Sequence, residues 1–154
     1  MKILMVCLGN ICRSPLAEGI LRNHLELLHL PHSIDSAGTI NFHSGSAPDP
    51  RAIQVAADNG IDISRLAARQ VSKLDFEKFD FIFAMDRNNY KDLISLSSRE
   101  QHKRIHLYLD YAGFGQKDVP DPYYGNMKHF EEVFELLDKA SHQVSAKLLK
   151  NKSL

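Results

Sequence analysis

The sequence predicts an α/β protein: one doubly wound domain over residues 1–154, with a four-stranded parallel sheet and helices on both faces. Two observations support this fold class. Apolar segments of strand length alternate with helical patterns along the chain. The segment 81–85, FIFAM, is apolar throughout, as expected for a central parallel strand. We see no repeat, low-complexity tract or linker that would divide the chain.

The elements are predicted from apolar periodicity and from capping residues. Ser14 and Asp49 are expected N-caps, and each precedes a proline at the first helical position, Pro15 and Pro50. The predicted elements are strands over 2–7, 33–37, 81–85 and 105–109, helices over 15–29, 50–60 and 130–148, a helix capped by Asp86 that runs to about Ile94, and a short helix at Ser72-x-x-Asp75, which resembles a capping box.

Two stretches, 38–49 and 110–127, have no usable periodicity. The second contains Gly113, Gly115, Pro120, Pro122 and Gly125. Long irregular segments in a small domain are usually functional or disordered. Ligands of doubly wound sheets bind beyond the carboxyl ends of the strands. We therefore expect both segments to pass over that edge.

The strongest chemical signal is the run Val6-Cys7-Leu8-Gly9-Asn10-Ile11-Cys12-Arg13-Ser14-Pro15. It places a cysteine in a tight loop between an apolar strand and a helix N-terminus, where backbone N–H groups bind phosphate-like anions and favour a thiolate. The spacing from Cys7 to Arg13 alone is weak support, but this context is specific. The run predicts Cys7 as a nucleophile and Arg13 as a two-oxygen phosphate clamp. A buried cysteine that only packs is the alternative.

The remaining residues of this loop are expected to complete the phosphate-binding site. Asn10 fixes the loop through side-chain hydrogen bonds or tolerates left-handed backbone geometry, and Ser14 caps the helix, donates to the sulfur, or does both. The predicted substrate-binding residues of the loop are Leu8, Gly9, Asn10, Ile11, Cys12 and Ser14.

Composition excludes several other classes. Lysine plus arginine equals aspartate plus glutamate, 19 each, so no net positive charge favours nucleic acid or an anionic membrane surface. No apolar run approaches the length of a membrane span. Met1-Lys2 leads straight into a strand, so we expect no signal peptide. We expect a cytoplasmic protein and a monomer. The eight histidines suggest no metal site, and His102 and His106 are expected to be a solvated surface pair.

Two cysteines in a cytoplasmic protein are expected to be reactive rather than structural. Cys12 lies five residues from Cys7 across a curled loop. We predict that peroxide forms a reversible Cys7–Cys12 disulfide that protects Cys7 from further oxidation.

Phosphate transfer to a cysteine requires a proton donor for the leaving group and a base for hydrolysis. Asp121, before Pro122, is the best candidate for both roles, although Asp-Pro is also an ordinary turn. Tyr123 and Tyr124 follow it and are suited to line a slot for an aromatic leaving group, or they pack within the loop.

The run from Val6 to Pro15 resembles the active-site signature of the low-molecular-weight protein tyrosine phosphatases. Further matches are Ser36-Ala37-Gly38-Thr39, Pro48-Asp49-Pro50-Arg51-Ala52, Ala68-Arg69-Gln70, Phe79-Asp80 with Met85-Asp86, and Asp121-Pro122-Tyr123-Tyr124. The resemblance implies a phosphotyrosine phosphatase that uses no metal or other cofactor and acts on tyrosine-phosphorylated proteins. It implies that Cys7 is the nucleophile, Arg13 the transition-state clamp, and Asp121 the general acid and then the base.

Two positions depart from the family pattern. Phe42, followed by His43, stands where many members carry Trp, and it is expected to wall the substrate slot. The residues 65–67 stand where many members carry a histidine that supports the loop, so that support is absent or supplied differently. Tyr123 and Tyr124 resemble the family's phosphorylatable pair, which implies a tyrosine kinase as a further partner.

Three alternatives stay open at this point. Arsenate reductases of one class share the fold and the first cysteine motif, but they relay a disulfide to further cysteines, and this chain has only Cys7 and Cys12. A related branch acts on phosphoarginine and carries Thr where Ile11 stands, so Ile11 favours phosphotyrosine. The third alternative is a phosphate-binding or thiol redox module without phosphatase activity.

Overall fold

The protein has the predicted α/β fold. The structure, a computed structural model, describes residues 1–152. Its four parallel strands are β1 Lys2–Cys7, β2 Ser33–Gly38, β3 Phe81–Ala84 and β4 Ile105–Leu107, in the sheet order β2-β1-β3-β4. The α-helices are α1 Arg13–Leu27, α2 Pro50–Asp58, α3 Asp75–Lys78, α4 Arg87–Leu96, α5 Tyr108–Tyr111 and α6 Met127–Lys152, and a 3-10 helix, not predicted, spans Arg99–Arg104.

The sheet is buried on both faces. Along β1, Ile3 and Met5 point into the core that contains residues of α1, α2 and α6, whereas Leu4 and Val6 point into the core that contains residues of α3 and α4. All four side chains are fully buried. Because successive residues of a strand face opposite sides, a strand covered twice must be apolar at every position. This explains the unbroken apolar pattern of β1 and β3.

The last helix, α6, is the longest element and packs against α1 and α2. Its buried positions match the predicted periodicity and are Phe130, Val133, Phe134, Leu137, Ala140, Ser141, Val144, Ser145 and Leu148. Within residues 1–152, none of the helices has the length and apolarity that crossing a membrane requires.

The predicted fourth strand over 105–109 is wrong at its end. Tyr108 and Leu109 belong to α5, because Tyr108 turns into the core and its hydroxyl lies 2.6 Å from Ser141 Oγ on α6. Helix α5 also shortens the irregular segment, which runs from 112 to 126 rather than from 110 to 127.

The predicted N-cap of α1 is also wrong. The helix begins at Arg13 with Cys12 in the N-cap position, so Ser14 lies within the first turn. The predicted caps of two other helices are confirmed: Asp49 accepts a hydrogen bond from the Arg51 N–H at 2.9 Å, and Asp86 accepts one from the Asn89 N–H at 2.7 Å.

The predicted capping box at residues 72–75 is only half formed. Helix α3 starts at Asp75 itself, later than expected. The Asp75 carboxylate does accept a hydrogen bond from the Ser72 N–H, at 2.8 Å, and it is also held by the guanidinium of Arg69 at 2.9 Å. The carboxylate therefore links two segments rather than simply starting a helix.

His102 and His106 are not a solvated pair. His102 Nε2 lies 3.1 Å from the Ile94 carbonyl oxygen, and the ring of His106 packs 5.0 Å from that of Tyr111. Burial lowers the pKa of His106, and the charge of Lys147 lowers it further. Among residues 1–152, no group of three or more His, Cys, Asp or Glu side chains is placed to hold a metal ion.

The strand order places a switch point beside β1. The chain leaves β1 for β2 on one side and then returns past β1 to β3 and β4 on the other. In doubly wound sheets this reversal opens a crevice beyond the strand ends. Cys7, the last residue of β1, lies at that point.

Candidate active site

A cavity of about 410 Å³ opens at the carboxyl end of β1. As expected, both irregular segments reach it. Its lining residues are Cys7, Leu8, Gly9, Ile11, Cys12, Arg13, Ile40, Phe42, His43, Asp121, Tyr123 and Tyr124. The predicted residues Cys7, Arg13 and Asp121 are thus brought together, although Asp121 is far from the other two in sequence.

The segment from Cys7 to Cys12, here called the phosphate loop, is held from outside through its carbonyl oxygens. The donors and acceptors are Thr39 N to Cys7 O, Ile40 N to Leu8 O, Asp49 N to Ile11 O, and Leu16 N to Cys12 O, at 2.8 to 3.3 Å. These bonds turn the carbonyl groups toward the scaffold. The loop runs directly into the N-terminus of α1, whose first N–H groups have no intrahelical acceptor and favour an anion.

Asn10 fixes the shape of the phosphate loop. Its backbone has a φ of 58°, in the left-handed region that Asn tolerates better than most residues. Its buried amide donates to Ser14 Oγ at 2.8 Å and to Ser36 Oγ at 2.9 Å, and it accepts from the Arg69 N–H at 3.1 Å. Residues 65–67 contain no histidine that could support the loop. Ser36 and the Arg69 backbone N–H contact Asn10 instead. Asn10 and Ser14, predicted as substrate-binding, lie behind the cavity lining.

Gly38 at the end of β2 permits this close packing. A Cβ atom there would lie 2.7 Å from the Leu8 carbonyl oxygen and 3.2 Å from the Asn10 nitrogen. The phosphate loop therefore rests directly on the backbone of β2, and a side chain at this position would displace it.

The Cys7 sulfur lies at the base of the cavity with two donors facing it. The residue is 3% exposed. Ser14 Oγ lies 3.0 Å from the sulfur, and the Asn10 N–H points at it from 3.3 Å. Because Ser14 Oγ already accepts a hydrogen bond from the Asn10 amide, its own proton can point at Cys7. Both groups can therefore donate hydrogen bonds to the sulfur.

Arg13 is locked in place by contacts that sequence reasoning missed. Its Nη1 donates to Asp86 Oδ2 at 2.7 Å and to the Val119 carbonyl at 3.0 Å. Burial works to lower the pKa of Arg13, but the charge at Cys7 and the hydrogen bond to Asp86 outweigh it and raise that pKa. The guanidinium is therefore a permanent, oriented cation in the cavity wall. In the sequence Asp86 was noted as a helix cap and as part of the Met85-Asp86 match, without a contact to Arg13.

Asp121 reaches the cavity from the irregular segment 112–126, here called the acid loop. One carboxylate oxygen accepts a hydrogen bond from the Tyr123 N–H at 3.1 Å, and the other lies 3.7 Å from Arg13 Nη2. The side chain is 41% exposed. Asp121 thus faces both the cation of the cavity and solvent.

Aromatic rings form the rim of the cavity. Phe42 meets His43 edge-on at 4.9 Å, His43 lies 6.2 Å from Tyr123, and Tyr123 meets Tyr124 edge-on at 5.0 Å, measured between ring centroids. A Cβ atom on Gly9 would lie 3.0 Å from the His43 ring, which would have to shift slightly to accommodate it. His43 and Ile40 were not predicted as lining residues; their nearness to Phe42 in sequence was the available signal.

Cys12 also lines the cavity, and both cysteines are free thiols. Burial raises the pKa of Cys12, and the negative charge of Asp49 raises it further. Cys12 is therefore a protonated thiol at neutral pH, unlike a group that serves as a nucleophile.

Fold and site together define an α/β protein with an anion-binding loop between its first strand and first helix. Comparison with known proteins carries the identification further. A sequence model of the family described as low molecular weight phosphotyrosine protein phosphatase matches residues 2–154. The chain therefore belongs to this family and is a protein-tyrosine phosphatase.

Individual relatives agree with this assignment. The low molecular weight phosphotyrosine protein phosphatase of Schizosaccharomyces pombe is 42% identical over 142 residues, which cover 89% of this chain and 90% of that protein. The low molecular weight protein-tyrosine-phosphatase YfkJ of Bacillus subtilis is 41% identical over 157 residues, with 99% of each chain covered. The crystal structure of a protein tyrosine phosphatase from Entamoeba histolytica superposes with a TM-score of 0.93 at 38% identity, again covering 99% of each chain.

Proposed function

We propose that this enzyme hydrolyses phosphotyrosine in proteins, and small aryl phosphates, through a phosphocysteine intermediate on Cys7. The observation that carries the proposal is the convergence of Cys7, Arg13 and Asp121 on one cavity lined by aromatic rings. A nucleophile, a fixed cation and a carboxyl group are the parts that two-step phosphoryl transfer requires.

In the first step the Cys7 thiolate attacks phosphorus. A P–S bond forms while the P–O bond to tyrosine breaks, and the electron pair leaves on the phenolic oxygen. Asp121, protonated, delivers its proton to that oxygen. The Arg13 guanidinium, held by Asp86, and the N–H groups at the start of α1 stabilise the charge on the remaining oxygens.

In the second step water hydrolyses the phosphocysteine. Asp121, now a carboxylate, accepts a proton from the water as its oxygen attacks phosphorus. The P–S bond breaks, its electron pair returns to sulfur, and inorganic phosphate leaves. The two donors that face Cys7 stabilise the thiolate as leaving group.

The rim supports an aryl substrate. Phe42 and Tyr124 are 80% and 94% exposed, so they are available to contact a phenyl ring and the protein around it. We propose that the enzyme acts in the cytoplasm as a single-domain monomer on tyrosine-phosphorylated proteins. We further propose that a tyrosine kinase modifies Tyr123 and Tyr124.

The test is the pH–rate profile for p-nitrophenyl phosphate in wild type, Cys7→Ser and Asp121→Asn. We expect no turnover from Cys7→Ser. Asp121→Asn should lose on the order of 10²–10⁴ in rate, the usual contribution of a general acid or base, with the limb that requires a protonated acid altered. An enzyme that binds vanadate but shows no turnover would overturn the catalytic assignment in favour of a binding or redox role.

A further inference from the structure

The motif Pro48-Asp49-Pro50-Arg51-Ala52 has no role in the steps above, yet the Arg51 side chain is extensively hydrogen-bonded to the acid loop beside the cavity. Its guanidinium makes four hydrogen bonds: two to the Asp49 carboxylate at 2.9 and 3.0 Å, one to the Tyr123 carbonyl and one to the Gly125 carbonyl, both at 2.9 Å. It therefore joins the start of α2 to the acid loop.

The guanidinium also stacks on aromatic rings. Its central carbon lies 4.5 Å from the ring centroid of Phe130, a fully buried residue of α6, and 6.0 Å from that of Tyr123. Asp49 in turn donates its N–H to the Ile11 carbonyl of the phosphate loop at 2.8 Å. The pair of Asp49 and Arg51 thus ties the acid loop to the loop that holds the nucleophile.

The contact to Tyr123 bears directly on the carboxyl group. The Tyr123 N–H donates to Asp121 Oδ1, and the Tyr123 carbonyl accepts from Arg51. Tyr123 therefore accepts one hydrogen bond from Arg51 through its carbonyl and orients the Asp121 carboxylate through its N–H.

Asp121 is held symmetrically along the chain. Two residues before it, the Val119 N–H donates to the Met85 carbonyl and the Val119 carbonyl accepts from Arg13. Two residues after it stands Tyr123, held by Arg51. Between these anchors lie only Pro120, Asp121 and Pro122, and proline fixes φ near −65°. The direction of the Asp121 side chain therefore depends on where the two anchors sit.

We propose that Arg51 is a positioning residue for proton transfer: it fixes the Tyr123 anchor and thereby holds the Asp121 carboxyl group over the leaving oxygen. This inference rests on the proposed role of Asp121 as general acid. Arg51 touches neither the phosphate nor the leaving group in this scheme. Its removal leaves the nucleophile and Arg13 intact but misplaces the proton donor.

The experiment compares kcat/KM for p-nitrophenyl phosphate, whose leaving group departs without much protonation, with kcat/KM for phenyl phosphate, whose leaving group needs a proton. The enzymes are wild type, Arg51→Lys, Arg51→Met and Asp121→Asn. We expect the Arg51 variants to lose about tenfold more on phenyl phosphate than on p-nitrophenyl phosphate, since small misplacements of a catalytic group cost up to ~10²-fold. The difference in loss between the two substrates should be smaller for Arg51→Lys than for Arg51→Met. The lysine ammonium keeps the charge but cannot make all four hydrogen bonds of the guanidinium.

Arg104→Lys is the matched control. Arg104 also donates to main-chain carbonyls, those of Phe76, Glu77 and Phe79, but far from the cavity lining. Thermal unfolding of every variant separates lost stability from lost positioning. Equal losses on both substrates in the Arg51 variants, beside a selective loss in Asp121→Asn, would overturn the inference. An unselective Asp121→Asn would instead overturn the proposed general acid itself.

Discussion

The phosphate loop and the acid loop meet at one cavity but are built in opposite ways. Apart from the exposed Leu8 and the half-buried Gly9, the phosphate loop and the start of α1 are buried: Asn10 and Arg13 are each 3% exposed and Ser14 is fully buried. The acid loop is largely exposed and is held at a few points by other elements, through Val119, Tyr123 and Gly125. The residues around the Cys7 sulfur are thus held by buried neighbours. Asp121 is instead positioned by contacts to the residues on either side of it, Val119 and Tyr123.

This difference follows the chemistry that each loop serves. A phosphate and its transition state carry charge throughout the reaction, so donors fixed in advance stabilise it without reorganisation. In the proposed mechanism Asp121 instead exchanges protons with a leaving group and then with water, and its partial exposure allows both. Arg13, at the start of α1, also links the anion site to the acid loop, because it lines the cavity and donates to the Val119 carbonyl.

Among the substitutions that test this difference between the loops, the largest loss of activity is expected from Arg13→Lys. Lysine keeps the charge but cannot bind Asp86 and Val119 while also presenting a fork to phosphate. We expect kcat/KM for p-nitrophenyl phosphate to fall on the order of 10²–10³-fold, as for loss of an oxyanion donor. Steady-state kinetics and vanadate affinity measure the effect.

Arg22→Lys is the control for charge and helix position. Arg22 also lies on α1 and pairs with Glu18, but it does not line the cavity. We expect its kcat/KM to stay within about twofold of wild type, because lysine keeps the charge that pairs with Glu18 and Arg22 does not line the cavity. If Arg13→Lys behaved like this control, Arg13 would not be the phosphate clamp.

The two loops also differ in how much of each can be predicted from the sequence. The phosphate loop was predicted because the groups that face its sulfur are local: Asn10 contacts Ser14, and Ser14 contacts Cys7, within seven residues. Even there the start of α1 was misplaced, because Ser14 uses its hydroxyl on the site rather than as a cap.

The acid loop depends on contacts that no local pattern reveals. Asp121 was singled out, but its anchors come from Arg13, 106 residues before Val119, and from Arg51, 72 residues before Tyr123. The same reason explains the error in β4, whose end is set by the contact of Tyr108 with α6. Pairings between distant segments require the fold, and the periodicity of one segment does not contain them.

A second prediction tests the phosphate loop alone. Cys12→Ser should leave steady-state turnover nearly unchanged. After exposure to peroxide, the wild type should regain activity with dithiothreitol, because the Cys12 thiol traps the Cys7 sulfenic acid as a disulfide with release of water. The variant should not, because without Cys12 peroxide oxidises the sulfenic acid further to a sulfinic acid, which dithiothreitol does not reduce. Since burial raises the pKa of Cys12, disulfide formation should accelerate as pH rises. Full recovery of the variant would show that Cys12 gives no protection.

The last prediction concerns the ion pair of Asp49 and Arg51, which links the two loops, and its contribution to stability. Hydrogen bonds from the Arg51 side chain hold the pKa of Asp49 below its ordinary value, against desolvation. The unfolded chain therefore binds a proton at higher pH than the folded protein does, and stability falls as pH drops below about 3.9, the ordinary Asp value. Asp49→Asn keeps the helix cap but loses the ion pair, so it should cost about 1 kcal/mol at pH 7.

That cost should shrink in acid, because below about pH 3.9 the unfolded wild-type chain gains a proton at Asp49 that the folded protein binds less readily, so the charged pair contributes less stability. Urea unfolding at pH 7 and near pH 3 measures the difference, with Asp58→Asn at the other end of α2 as the control, since Asp58 accepts from the neutral amide of Gln54. A cost of equal size at both pH values would mean that Asp49 acts through shape and capping rather than through its charge. In that case the acid loop would be tied to the phosphate loop by the Arg51 bonds to Tyr123 and Gly125 without help from a charged partner.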